Sequence, residues 1–394
     1  MPLFPQFPLL TYVALNHNLL SDFGEPSDTN IRGSFDGIPD LTHLYLQNNS
    51  LTHITNVTFA NLKELRIFDL SNNKLQHIAA GAFQNQRHLT EFNLSYNELT
   101  YLEPETFQNM DIYGNLYVNN NDLAHLSAGT FVGNKWLHIL DLSNNHLTDI
   151  AMGAFNELNK LKILKLNGNK LTSIDGIFDD LENLKYLNVS NNCIVEISNN
   201  TFNNLPKIIS VDLCYNRIEK IAPDSFVLIA HLYLNNNNLT TLEGVFVKEI
   251  QLTELYLSNN YLHKIKNTTF NHLTYLRTLH LANNQISYIA PYSFVSTKIG
   301  VLDISNNNLT TIQPYSLITK FPPLQTFHYK GNPLICDDKL KWFTDYVKYE
   351  YREGRWHDKK RDDAVYSDPV ICTEPMKAAS IESKARNNCS CACQ

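Results

Sequence analysis

Residues able to do chemistry are plentiful in this chain but scattered. Fourteen histidines, 39 carboxylates and seven cysteines lie among 394 residues. Acid–base, nucleophilic and metal chemistry each need such groups at fixed spacing, and the spacing is missing. No H-x-x-x-H pair or matched Cys/His set would hold zinc. No glycine-rich loop would cradle a phosphate or dinucleotide, and no serine stands at a strand-to-helix elbow. Asp69, Asp141, Asp212 and Glu254 are far apart in sequence, so nothing selects two of them as an acid–base dyad. The closely spaced Cys389, Cys391 and Cys393 suit disulfides better than a metal. The expectation is a non-enzyme with no cofactor and no metal.

Composition narrows the remaining classes. A formal net charge of −7 gives no electrostatic basis for holding nucleic acid or anionic lipid. With 43% hydrophobic and 18% charged residues the chain can bury a core. No run of eighteen apolar residues offers a membrane span. The opening Met1-Pro2-Leu3-Phe4-Pro5 carries no basic leader, unlike a secretory signal. Cys336, Cys372, Cys389, Cys391 and Cys393 crowd the end, and an odd total implies a disulfide-closed cap with a thiol left over.

One period organises everything between. The pattern L-x-x-L-x-L-x-x-N-x-L recurs, as in Leu65-Phe68-Leu70-Asn73-Leu75, Leu137-Leu140-Leu142-Asn145-Leu147 and Leu276-Leu279-Leu281-Asn284-Ile286. Its asparagine returns 14 times from Asn18 to Asn332, mostly at steps of 23 or 24 residues. Phenylalanines follow behind most of them, among them Phe59, Phe83, Phe107, Phe131, Phe155, Phe270 and Phe294. The L-x-L alternation is a short strand with one buried face, and stacked repeats would pair those strands into a parallel sheet. A buried asparagine amide can donate and accept at once, so a column of them would satisfy backbone groups at each turn. The phenylalanines would fill the opposite, wider side of each coil.

This pattern resembles the leucine-rich-repeat superfamily in its typical 24-residue class, with similarity over residues 9 to about 375. Toll-type receptor ectodomains, slit-like proteins and secreted invertebrate leucine-rich immune proteins use that class. The resemblance implies an α/β-type, mostly β solenoid, a horseshoe with a parallel concave sheet, occupying residues 1–332 in about 14 repeats. Residues 333–394 would form a cysteine-containing C-terminal cap and tail, with a helix over the last coil and a disulfide between Cys336 and Cys372. The family's usual second cap cysteine is replaced by Asp338. The chain starts inside a repeat, at Leu10-Val13-Leu15-Asn18, so a fragment lacking its N-terminal cap and signal peptide is expected.

Departures from the period are local. The step from Asn18 to Asn49 is 31 residues, its excess in the polar stretch Ser21 to Asn30, read as a bulging loop. The step from Asn216 to Asn237 is 21 residues, which requires a tighter coil. Cys193 and Cys214 sit at different offsets from their asparagines, so no bridge joins them and two free thiols are expected. Around Trp356, the basic residues Arg352, Arg355, Lys359, Lys360 and Arg361 alternate with acids and read as a solvated loop.

On such a sheet the outward residue four before each asparagine forms a column: Ala14, Tyr45, Asp69, Asn93, Tyr117, Asp141, Lys165, Asn188, Asp212, Tyr233, Tyr256, His280, Asp303, His328. Tyr233, Tyr256 and His280 are consecutive, flanked by His231 and Glu254, while Ile139, Ile163 and Tyr186 form an apolar run two residues earlier. Tyr186, His231, Tyr233, Glu254, Tyr256 and His280 are the candidate binding residues, because aromatics on a rigid sheet bury area at little entropic cost. Strand preference alone also accounts for Tyr and Ile there.

Nine N-x-S/T sequences occur, at Asn48, Asn56, Asn93, Asn188, Asn199, Asn238, Asn267, Asn308 and Asn388. With 49 Asn and 50 Ser plus Thr, chance alone supplies about six, so the count argues little for secretion. Glycans on Asn93 and Asn188 would obstruct the sheet nearby and push docking toward Tyr233–His280, or off the concave face altogether. The resemblance implies an extracellular or cell-surface module that binds a protein or glycoprotein, in an innate-immune or receptor role, alone or as a homo- or heterodimer. An adhesion or matrix protein, or an intracellular scaffold, would use the same surfaces.

Overall fold

Three-residue strands with a buried middle residue are the repeating unit. In Glu254–Tyr256 the central Leu255 is fully buried while both neighbours are half-buried. The structure, a computed structural model, describes residues 7–23, 35–104, 106–108, 110–248, 250–320, 324–335 and 337–352. It is a mostly β parallel solenoid with one described helix, Lys341–Arg352.

Two compact units are present, Met1–Ile194 with Asn200–Ile208, and Val195–Asn199 with Ile209–Gln394. The first carries the strands Tyr12–Ala14, His43–Tyr45, Ile67–Asp69, Glu91–Asn93, Asn115–Tyr117, Ile139–Asp141, Ile163–Lys165 and Tyr186–Asn188, paired parallel in that order. The second carries Ser210–Asp212, His231–Tyr233, Glu254–Tyr256, Thr278–His280, Val301–Asp303 and Thr326–His328, again parallel and sequential. Register is in step within each unit, so equivalent residues of its successive repeats stand side by side.

The asparagine column forms as its chemistry requires. Asn73 Nδ2 donates to the carbonyls of Leu46 and Leu70, each at 3.0 Å, and Oδ1 accepts from Leu51 N at 3.1 Å. One side chain thus satisfies groups on its own coil and on the coil before it. The same three bonds recur at Asn145 and Asn284. Removing the amide would leave buried backbone groups unmet, at about 1–3 kcal/mol each.

A second requirement explains the many Asn-Asn doublets. The residue before the ladder asparagine is left-handed, with φ of 52° at Asn72, 53° at Asn144 and 60° at Asn259. Asparagine tolerates that conformation best among residues with a Cβ, and glycine takes it freely. Gly168, at φ 71°, fills this place, and a Cβ there would collide with Asn144 Oδ1.

The opposite side is packed by phenylalanines. Phe107 and Phe131 stack at 5.7 Å, Phe131 and Phe155 at 6.2 Å, and Phe270 and Phe294 at 5.8 Å. Phe23, part of the stretch read as a polar loop, instead packs edge-on against Phe35 and Phe59 at 5.4 and 5.7 Å. Residues 24–30 of that stretch lie outside the described residues. The short coil between Asn216 and Asn237 still closes with ladder bonds, from Ile218 N to Asn237 Oδ1 and from Asn237 Nδ2 to Leu213 O, each at 3.0 Å. Its missing residues fall after Phe226, between the spine and the next strand.

At the C-terminal end, Leu340 and Phe343 are buried, and Trp342 Nε1 donates to Ile312 O at 2.7 Å. Phe343 meets Tyr329 edge-on at 5.3 Å, so the start of the helix covers the last coil. The expected cap disulfide falls on Cys336 and Cys372, which lie outside the described residues, as do Cys389, Cys391, Cys393, the basic loop beyond Arg352 and Asn388. One expectation is corrected: Cys193 is disulfide-bonded, whereas Cys214 is free. Repeat spacing tests only whether Cys193 and Cys214 pair with each other, and a bridge to any other cysteine escapes it.

Candidate functional site

Strand spacing builds the site. Tyr233, Tyr256 and His280 occupy one register on three adjacent strands. Parallel strands lie roughly 4.8 Å apart, which suits the separation of stacked rings. The Tyr233 and Tyr256 rings stack at 4.8 Å and 12°, and Tyr256 and His280 at 4.9 Å and 8°. All three are half-buried. Each ring is held by its neighbour before any partner arrives, so little side-chain freedom remains to be lost on docking.

Carboxylates frame this stack. Glu254 Oε2 accepts from the Tyr256 hydroxyl at 3.3 Å. It also lies 3.3 Å from His231 Nδ1, in a geometry that is not that of a hydrogen bond. His280 Nδ1 stands 3.7 Å from Asp303 Oδ2. Asp303 Oδ1 accepts from Ser305 N at 2.9 Å and Ser305 Oγ at 2.6 Å. Burial acts to raise the Asp303 carboxyl, but His280 and the Ser305 donors outweigh it and hold it below the ordinary range. The phenols of Tyr233 and Tyr256 are pushed up, first by burial and then by the Glu254 charge, with Asp212 adding at Tyr233. Cys214 borders the same group, and burial followed by the Asp212 carboxylate pushes its thiol up to about 12.

The structure therefore brings together five of the six candidate binding residues: His231, Tyr233, Glu254, Tyr256 and His280. Tyr186 belongs to the first unit, beside Ile163, and is 46% exposed. There the face carries Ile139 and Ile163 together with an ion pair, Lys165 Nζ to Asp141 Oδ2 at 3.0 Å. Sequence reasoning placed Asp212, Asp303 and His328 in the same column but did not select them. The signal was the column itself, which continues past His280.

It also missed an exposed pair in the first unit, Tyr113 and Trp136, stacked at 5.7 Å and 9°. These aromatics precede successive strands, outside the alternating positions that mark a face.

The N-x-S/T asparagines fall into two groups. Asn48, Asn56, Asn199, Asn267 and Asn308 are exposed, and Asn238 is half-buried. Asn93 and Asn188 project from the sheet, but each Oδ1 accepts from the following serine, at 3.0 Å from the amide and 2.7 Å from the hydroxyl. Asp141 and Asp303 make the same turn with Ser143 and Ser305. The Asn-x-Ser at those two places thus has a structural use independent of any sugar.

Among the described residues no group of three His, Cys, Asp or Glu is placed to hold a metal ion. No described helix is long and apolar enough to cross a membrane.

Comparison with known proteins agrees with the geometry. The leucine-rich-repeat family model matches residues 29–75, 63–112, 114–171, 170–210 and 250–309. A curated relative, trophoblast glycoprotein of Macaca fascicularis, is 30% identical over 93 residues, 22% of either chain. Among solved structures, the LRIM1/APL1C complex matches at a TM-score of 0.65 and 23% identity, covering 82% of this chain and 58% of that one. The TLR13–ssRNA13 complex matches at 0.62 and 24%, covering 80% and 50%. The Drosophila Toll–Spätzle complex matches at 0.56 and 22%, covering 88% and 51%. This chain thus spans between half and three-fifths of those solved chains, and the likeness is one of fold. With the family model matching well over half of its length in register with the asparagine column, the chain belongs to the leucine-rich-repeat family.

Proposed function

We propose that this chain is an extracellular recognition module, without catalysis, that binds a protein or glycoprotein through the sheet face of its second unit. The observation carrying this reading is the stacked, half-exposed Tyr233–Tyr256–His280 row. It is rigid, aromatic and bordered by polar groups, as protein-binding hot spots are. The net charge of −7 disfavours RNA as a ligand for this chain, whatever the solved relatives bind. An innate-immune or receptor setting fits the company of Toll and LRIM1/APL1C among structures of the same fold. Pairing as a homo- or heterodimer is compatible with it.

The test is a binding measurement on purified protein and the partner recovered from its native fluid. Tyr233→Ala combined with Tyr256→Ala should weaken binding by about 2 kcal/mol or more, as hot-spot truncations do. Thermal unfolding should shift little, because both rings are half-exposed. Unchanged affinity removes this face from consideration. Location is tested by mass spectrometry with and without reduction: Cys336 and Cys372 should be oxidised in natively produced protein, and two free thiols would defeat the extracellular assignment.

A further inference from the structure

The outward columns of the second unit hold three carboxylates, Asp212, Glu254 and Asp303, and three imidazoles, His231, His280 and His328, with no lysine or arginine. In the first unit Lys165 answers Asp141 directly. In the second unit the nearest cationic candidates to Glu254 and Asp303 are histidines, at 3.3 and 3.7 Å. These columns therefore hold no permanently charged cation to set against the three carboxylates. The raised phenols of Tyr233 and Tyr256 report the same field, after burial.

Placement adds geometry to charge. Asp212, Glu254 and Asp303 stand on the first, third and fifth strands of this sheet. Alternate strands are separated by roughly 9–10 Å, and a chain in the extended polyproline-II form rises about 3.1 Å per residue with three residues per turn. Basic side chains three residues apart on such a segment lie on one side about 9 Å apart, and their length can span the two-residue offset of Glu254 from the column of Asp212 and Asp303. Their apolar stems would lie against the edges of the stacked rings.

Resting on the recognition reading above, we infer that the partner presents an extended basic segment, with arginine or lysine at about every third residue, to the Asp212–Glu254–Asp303 face. Arginine suits it better than lysine, since its planar fork can bond a carboxylate and a phenol oxygen together.

The probe is a fluorescent oligo-arginine peptide, titrated with the whole chain by anisotropy at neutral pH and low ionic strength. The variant is Asp212→Asn with Glu254→Gln and Asp303→Asn. Asparagine already occupies the place equivalent to Asp212 and Asp303 at Asn93 and Asn188 and makes the same turn, and a glutamine amide oxygen can accept from Tyr256 as the Glu254 carboxylate does, so the variant keeps its local hydrogen bonds. A control with equal charge change away from these columns carries Glu64→Gln, Glu182→Gln and Glu219→Gln, all exposed positions. The face variant should raise Kd on the order of tenfold and the control less than about twofold, because close charge pairs exceed screened distant ones. Equal weakening by both variants, or none by the face variant, would overturn the inference. Retained peptide binding by the face variant, with loss of the natural partner in Tyr233→Ala/Tyr256→Ala, would overturn the basic segment alone and leave the recognition reading standing.

Discussion

The two units share a backbone rule and differ in what they present. In both, the inward leucines, the asparagine column and the phenylalanines repeat without regard to the outward residues. In the first, the outward positions carry Ile139, Ile163 and Tyr186, with Asp141 neutralised by Lys165. In the second they carry a ring stack among carboxylates that no lysine or arginine of the same columns answers. The frame is thus indifferent to the face, and the face is free to specialise. Two outward residues per strand, brought side by side by the register, decide what each unit can hold.

Indifference of the frame can be broken by symmetric damage. Phe131→Ala in the first unit and Phe270→Ala in the second should each cost about 3–5 kcal/mol, since both rings are fully buried and leave a cavity. Denaturant unfolding of the two variants would measure it, and a large inequality would mean the spine is not equivalent in the two units. Gly168→Ala should cost about 1–3 kcal/mol, from a left-handed backbone and the collision with Asn144.

The specialised face should respond to smaller changes in a different readout. Tyr233→Ala with Tyr256→Ala acts on binding, whereas Ile163→Ala with Tyr186→Ala in the first unit should leave affinity within about twofold. A result the other way round would move recognition to the first unit. The chemistry around Asp212 can be read through Cys214. With its thiol pushed up to about 12, Cys214 holds almost no thiolate at pH 8. Its modification by a disulfide reagent in the native state should be on the order of a hundredfold slower than that of an unhindered thiol, and should recover on unfolding. The smallest effect is expected for Lys165→Ala. That lysine is 44% exposed, so losing its pair with Asp141 should cost under about 1 kcal/mol.

Most of the frame was legible in the sequence because it is periodic. Leucine, asparagine and phenylalanine recur at fixed offsets, and each offset has one physical reason. The Tyr233–His280 row was legible for the same cause, since equal offsets in parallel strands become neighbours. Three features were not. Phe23 lies outside the repeat pattern, and only the fold shows that it extends the aromatic spine. The bridge at Cys193 was missed because repeat spacing tests only its pairing with Cys214. The column sets His280 beside Asp303, but only the fold shows how close the imidazole and the carboxylate come, at 3.7 Å. Periodicity reveals which residues meet; it does not reveal which charges stay unanswered.

The central claim concerns which surface closes on the partner, and hydroxyl-radical footprinting of the complex reads that surface directly. Oxidation at Tyr233, Tyr256 and His280 should fall when the partner is bound, while Tyr113, Trp136 and Tyr186 keep their free-state rates. Protection of the first-unit residues with Tyr233, Tyr256 and His280 still oxidised at the free rate would contradict the account.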